Sequence, residues 1–303
     1  MDGTIKTSDG RTVGYATYGI EGGVPVINCH GGPGSRLSIS ADHDEAFKNG
    51  FFLVGIDRPG YGLSDPKPGR SIADWITDAI AVANHLQLDK FYVTGVSTGG
   101  AYAFALASLV PDRVLGVVAC CAMTDMRFEP ARMAMDRKTV NSLWNAKNRE
   151  AAFAPALKMS GPNGEKLLVG LKIGRKLAGM PFKKLVAKLI KLTPADLNYL
   201  ASFQDSSEIW QSLMLEPYAR GVDGFVDDRI ADGVGWNSFD VNGVKCPVLI
   251  IHGESDTIVN VMNAHHTHEL IPQSTLQLSK NEGHLSIISK LMNAVIEISG
   301  KKS

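Results

Sequence analysis

No run of eighteen consecutive apolar residues occurs in the 303-residue chain, and its amino terminus, MDGTIKTSDGRTVGYATYG, carries no apolar stretch of signal-peptide type. These absences argue against a membrane span and against export, so a cytoplasmic location is the expectation. An excess of one charge is also missing. Lysine plus arginine number 31 and aspartate plus glutamate number 31, which leaves no overall field to gather nucleic acid or an anionic membrane. The expected partner is a small molecule. Cysteine is scarce, and Cys29, Cys120, Cys121 and Cys246 lie in or beside apolar runs at spacings that fit neither a zinc site nor a disulfide framework. They read as reduced core thiols, and no cofactor or metal is called for. Internal repeats and low-complexity tracts are absent as well.

What the chain does contain is a rhythm of short apolar runs and helical stretches. An Asp-Gly pair at 9–10 between two runs of strand formers predicts an antiparallel hairpin at the start. The runs at 24–29, 51–57, 91–96 and 114–121 read as strands buried on both faces, with helices between them. Alternation of this kind requires crossover connections and so a parallel sheet covered on both sides. A helix is expected to open at Ser71-Ile72-Ala73-Asp74, where serine and aspartate can cap each other's backbone N–H groups. From about 123 to 225 the strand rhythm disappears and the segment reads as helices, one of them capped at Thr193-Pro194-Ala195-Asp196. We expect a core domain of residues 1–122 and 226–303 carrying a helical cap at 123–225. Within the cap, Lys166 to Lys191 is basic and amphipathic, which reads as a solvated face over a pocket. The strands resume at 246–253 and 275–279, and a last helix is expected at about 285–298.

One serine stands in Gly95-Val96-Ser97-Thr98-Gly99-Gly100, between a strand-like run and a helix-like one. A serine hydroxyl is a poor nucleophile at neutral pH, so it needs a histidine base and a carboxylate to orient that base. Of the eight histidines, His284 lies in the loop NEGHLS after the last strand-like run, and Asp256 lies in HGESDTIV, again in a loop leaving a strand. Such loops emerge at the carboxyl edge of a parallel sheet, where the turn holding Ser97 also lies. Glu254 and Asp125 are rival acids. His265, His266 and His268 read as a solvated helix face, and His252 as structural. Acyl transfer also needs N–H donors aimed at a developing oxyanion. His30-Gly31-Gly32-Pro33-Gly34 follows a strand, and the expected donors are the backbone N–H groups of Gly32 and Thr98.

With HGGPG at 30–34, DRPGYGLSD at 57–65, GVSTGG at 95–100, HGESD at 252–256 and EGH at 282–284, the chain resembles the α/β-hydrolase superfamily. The motifs follow that family's Ser…Asp…His order across nearly the whole core. The resemblance implies an eight-stranded, mostly parallel sheet with a cap inserted after the sixth strand. It also implies a Ser97, Asp256, His284 triad, with Asp57, Arg58, Tyr61 and Ser64 in a structural turn that orders the oxyanion loop. HGGPG is similar to the loop of proline iminopeptidases, but the Gly-Ser-Trp-Gly-Gly type of elbow found there is replaced here by Gly-Val-Ser-Thr-Gly.

The function expected is a cofactor-independent carboxylesterase acting on a small-molecule ester. An aminopeptidase of proline iminopeptidase type or a lactonase would use the same groups. The aminopeptidase would need a carboxylate for the substrate ammonium, for which Glu129, Glu208 and Glu216 are available. A non-catalytic ligand-binding protein on the same fold is the alternative from a different class.

Overall fold

A computed structural model describes residues 1–134, 146, 148–159, 192–202 and 215–301. Its centre is an eight-stranded sheet: β1 (Asp2–Lys6), β2 (Thr12–Gly19), β3 (Val24–Cys29), β4 (Phe51–Ile56), β5 (Phe91–Val96), β6 (Val114–Cys120), β7 (Val248–Gly253) and β8 (Thr275–Ser279). The order across the sheet is β1-β2-β4-β3-β5-β6-β7-β8. β2 pairs antiparallel with both β1 and β4, and every other neighbouring pair is parallel. The opening hairpin turns at Gly10, whose φ of 84° is the left-handed value that its Asp-Gly pair favours.

The central strands are largely apolar because both faces are covered, and the buried polar pair Asn28 and Thr94 satisfy each other across β3 and β5 at 2.9 Å. Against one face pack α2 (Asp74–His85) and α3 (Gly99–Leu109), whose Trp75, Ala79, Val82, Tyr102 and Phe104 join Ile27, Val93 and Val117 of the strands. Against the other lie α1 (His43–Lys48) and the carboxyl-terminal helix Leu291–Ser299, where Ala46, Leu291 and Val295 meet Val26, Leu53 and Val118. Each fully buried valine or isoleucine contributes about 1.5–3 kcal/mol. The capping pair before α2 forms as expected: Asp74 N–H donates to Ser71 Oγ at 3.2 Å and Ser71 N–H to the Asp74 carboxylate at 2.8 Å. The regular helix itself starts only at Asp74.

Between β6 and β7 the described elements are helical: α4 (Glu129–Ala134), α5 (Arg149–Met159), α6 (Pro194–Ser202), α7 (Asp223–Gly233) and short 3₁₀ turns. The expected cap at Thr193 is present, with Asp196 N–H donating to Thr193 Oγ1 and Thr193 N–H to Asp196 Oδ2, both at 3.1 Å. The basic stretch 166–191 and Glu208 lie outside the described residues. α8 (Met262–Leu270) follows β7, and the helix already noted at Leu291–Ser299 is α9. Among the described residues, no helix is long and apolar enough to cross a membrane.

Candidate active site

Strand register fixes where the functional loops emerge. Cys29 pairs with Gly95, Val96 with Cys120, Cys120 with Ile251, and Gly253 with Ser279, so β3, β5, β6, β7 and β8 end side by side. The loops that follow carry Gly31 and Gly32, Ser97, Cys121, Asp256 and His284. All of them therefore open at one sheet edge.

Ser97 sits on the turn from β5 into α3 with φ 55°, a backbone region unusual for a residue with a side chain. Its N–H donates to Cys120 O, and its carbonyl accepts from Met123 N–H, both at 3.0 Å. The flanking glycines are needed because the turn is tight. A Cβ on Gly95 would lie 2.7 Å from Gly99 O and 2.8 Å from Ala103 Cβ, and one on Gly99 would collide with the backbone of Cys29 and His30. Strand and helix can meet this closely only without side chains at those positions.

Asp256 and His284 are brought together: His284 Nδ1 lies 2.7 Å from Asp256 Oδ2. The other carboxylate oxygen, Oδ1, accepts from Ile258 N–H at 2.7 Å and Val259 N–H at 2.8 Å, which fixes the side chain. Such a bond assigns the Nδ1–H tautomer and leaves Nε2 to accept a proton. Of the rival acids, Glu254 is exposed, and Asp125 is engaged by Arg127 and by Trp236 N–H.

The sequence placed no role on two neighbours of this pair. His252, fully buried, has Nε2 2.8 Å from Val259 O and 3.4 Å from Asp256 Oδ2. Cys121, read as an ordinary core thiol, is in left-handed backbone with φ 41° and contacts the His284 ring. Burial pushes its thiol well above the ordinary value, so at neutral pH it is no thiolate. The only sequence signal was its place at the end of a strand. His266, expected on a solvated face, instead stacks on Phe128 with centroids 3.8 Å apart and bonds Thr124 Oγ1 at 2.8 Å, because the segment that leaves β6 runs against α8.

Electrostatics separate the two partners. Burial would raise Asp256, but His284 and His252 outweigh it and hold the carboxyl below its usual range. Burial would likewise lower His284, but the Asp256 carboxylate, by its charge and its hydrogen bond, holds the imidazole above its usual 6.5. A base must be neutral to take a proton. If His284 is that base, kcat/KM should rise with pH through a midpoint above 6.5 and fall away below it. A pH–rate profile on a neutral ester checks this, and a midpoint at or below 6.5 would contradict it.

The HGGPG loop lies directly against the serine. A Cβ on Gly31 would stand 3.5 Å from Ser97 Cβ, and one on Gly32 would meet Thr98 Oγ1 at 2.9 Å and strike Arg229 Nη2. Behind the loop is a buried ionic hub that no motif announced. Asp228 of α7 accepts from Arg58 Nη2 at 2.7 Å, Tyr61 Oη at 2.7 Å, Tyr102 Oη at 3.0 Å and also Arg70 Nη2. Burial opposes its charge, but Arg58 and Arg70 hold the carboxyl well below its usual range. Arg58 in turn donates to the carbonyls of His30 and Gly31. His30 is buried and held well below its usual pKa, chiefly by that burial, and its Nε2 accepts from Arg58 N–H at 3.2 Å. Asp57 accepts from Arg36 N–H at 2.6 Å and Leu63 N–H at 2.9 Å, and Ser64 Oγ donates to Asp57 O, in keeping with a structural turn.

Asp196 joins helix α6 to the histidine loop. Its Oδ1 accepts from Leu285 N–H and Ser286 N–H, both at 2.9 Å, immediately after His284. Gly283 is packed so closely on that carboxylate that a Cβ there would collide with it.

Residues 24–163 match the family model for the alpha/beta hydrolase fold. Over 298 residues the chain is 24% identical to the uncharacterized hydrolase YcgS of Bacillus subtilis, covering 94% of this chain and 92% of that one. It is 21% identical to the probable proline iminopeptidase of Leptolyngbya boryana, covering 98% and 92%. A solved structure of a thermophilic esterase from Thermogutta terrifontis superposes with a TM-score of 0.60 at 20% identity, over 98% of this chain and 97% of that one. Strand order, elbow and these matches together show that the chain has the α/β-hydrolase fold.

Proposed function

We propose that the protein is a cofactor-independent serine carboxylesterase acting on small to medium esters, with residues 123–225 as the cap over its pocket. The observation that carries this reading is the 2.7 Å His284–Asp256 pair opening at the same sheet edge as the strained Ser97 turn. Ser97 Oγ attacks the ester carbonyl while His284 Nε2 takes its proton, and Asp256 stabilises the imidazolium that forms. Gly32 N–H and Thr98 N–H hold the oxyanion of the tetrahedral intermediate. Its collapse expels the alcohol, which receives the proton from His284 and leaves an acyl group on Ser97. Water then attacks the acyl carbonyl as His284 takes its proton, and the acid departs with Ser97 restored.

The similar proteins include both esterases and proline iminopeptidases. Of the three carboxylates named for a substrate ammonium, the two among the described residues are engaged or turned outward, Glu216 bound by Arg36 and Glu129 exposed, which favours the ester reading. The test combines p-nitrophenyl esters of increasing acyl length, a proline arylamide, and a fluorophosphonate probe with the labelled residue mapped by mass spectrometry. Ester turnover and labelling at Ser97 are expected. Cleavage of the arylamide faster than any ester would replace the reading with an aminopeptidase. Neither turnover nor labelling would leave a ligand-binding protein.

A further inference from the structure

Immediately behind Thr98 lies a cavity of about 10 Å³, room for one water-sized group. Met123, Met126 and Trp236 make most of its wall apolar, and Thr98, Thr124 and Asp232 supply its polar atoms. Thr124 is already committed, its N–H to Asn263 and its hydroxyl to His266. The other two are not. Thr98 Oγ1 and both carboxylate oxygens of Asp232 are buried without a hydrogen-bond partner among the described residues, although Asp232 Oδ2 lies 3.0 Å from Arg229 Nη2. Burying such acceptors in an apolar wall costs free energy that a donor in the cavity would recover.

The cavity adjoins the reaction centre. Gly32, Thr98 Oγ1 and Arg229 Nη2 converge so closely that a single added methyl on Gly32 would touch both side chains. Gly32 and Thr98 are also the two residues whose N–H groups the proposed mechanism aims at the substrate oxyanion. A group held at Thr98 Oγ1 lies on a residue that also binds the proposed oxyanion, which points to a substituent on the carbon next to the acyl carbonyl.

We propose that the Thr98–Asp232 cavity is an acyl-side subsite for a neutral hydroxyl, and that the protein selects esters of 2-hydroxy acids. This rests on the serine esterase reading. The hydroxyl would donate its proton to the Asp232 carboxylate and accept one from Thr98 Oγ1. An ammonium is the poorer occupant. Burial raises the Asp232 carboxyl to about 7 against the pull of Arg229, so at neutral pH it offers an ammonium no full counter-charge. The cavity's size admits a hydroxyl but no carboxylate.

The test measures kcat/KM by pH-stat on the methyl esters of propanoate, both enantiomers of 2-hydroxypropanoate, and 2-aminopropanoate. In the wild type, one hydroxy ester should exceed the plain ester by ~10- to 100-fold, the range expected for a hydrogen bond to a charged group. Asp232→Leu should collapse that ratio toward the ratio seen in base-catalysed hydrolysis, and Asp232→Asn should restore part of it. Thr98→Val, which keeps the backbone N–H and the side-chain shape, reads the same ratio should Asp232 variants fail to fold. Equal rates on hydroxy and plain esters, a ratio unmoved in the folded variants, or preference for the amino ester would overturn the subsite. So would failure on all the methyl esters by a protein that hydrolyses p-nitrophenyl esters. Failure on every ester, with no fluorophosphonate labelling of Ser97, would remove the esterase reading and this one with it.

Discussion

Ester turnover by Ser97→Ala should fall by ~10⁴-fold or more, with the melting transition within about 2 °C of wild type. The hydroxyl removed is the only atom proposed to bond covalently to substrate, and what survives its loss is binding plus oxyanion stabilisation. The fold should tolerate the change. The three backbone hydrogen bonds at Ser97 run through its N–H and carbonyl, not its hydroxyl, and alanine meets the φ of 55° at similar cost to serine. His284→Ala in the same background should cost little more, because the groups act as one unit and the second loss finds little left to remove. Steady-state kinetics on a p-nitrophenyl ester with a thermal melt checks both halves. Undiminished turnover by the alanine variant would end the assignment of Ser97.

The largest effect on stability is expected at Asp228. Its carboxylate and the Arg58 and Arg70 side chains are each fully buried, so Asp228→Ala leaves two guanidiniums without their shared anion. Removing one member of a buried pair typically costs about 3–5 kcal/mol, which in a chain of this size is a fall in Tm of roughly 10 °C. Asp89→Ala, at an exposed position, should change stability by less than about 0.5 kcal/mol. The sign of the pH dependence follows from the depressed carboxyl. Its contribution is fully present above the unfolded value of about 3.9 and is lost as pH falls through the lower folded value. The gap between wild type and variant should therefore narrow only in strong acid. Because Arg58 also holds the carbonyls of His30 and Gly31, the variant that folds should lose kcat as well. Equal melting temperatures for Asp228→Ala and Asp89→Ala would show the hub to be dispensable.

Much of the sheet could be read from the chain because strands buried on both faces cannot hide their character. VPVINC, FYVTGV and VLGVVAC are apolar at consecutive positions, and each became a strand within a residue or two of the expected bounds. The two capping pairs at Ser71 and Thr193 were legible for a different reason, since both partners lie within four residues. The loops with Ser97, Asp256 and His284 could be placed at one edge from the direction of parallel strands alone. Helix α7 is where such reading stops. Its sequence DGFVDDRIADG looks like a solvated helix, yet Asp227, Asp228, Arg229 and Asp232 are all buried. Their burial depends on arginines 170 and 158 positions away, and nothing in local spacing records such a distant pairing. Cys121 and His252 escaped for a similar reason, their importance being set by which side chains the folded strands bring beside them.

Two of the three hydrogen bonds that Asp196 accepts tie helix α6 to the loop bearing His284. If the proposed cap opens by moving that helix, the movement would pull on the amides of Leu285 and Ser286 beside His284, so that opening and readiness to react would be linked through one carboxylate.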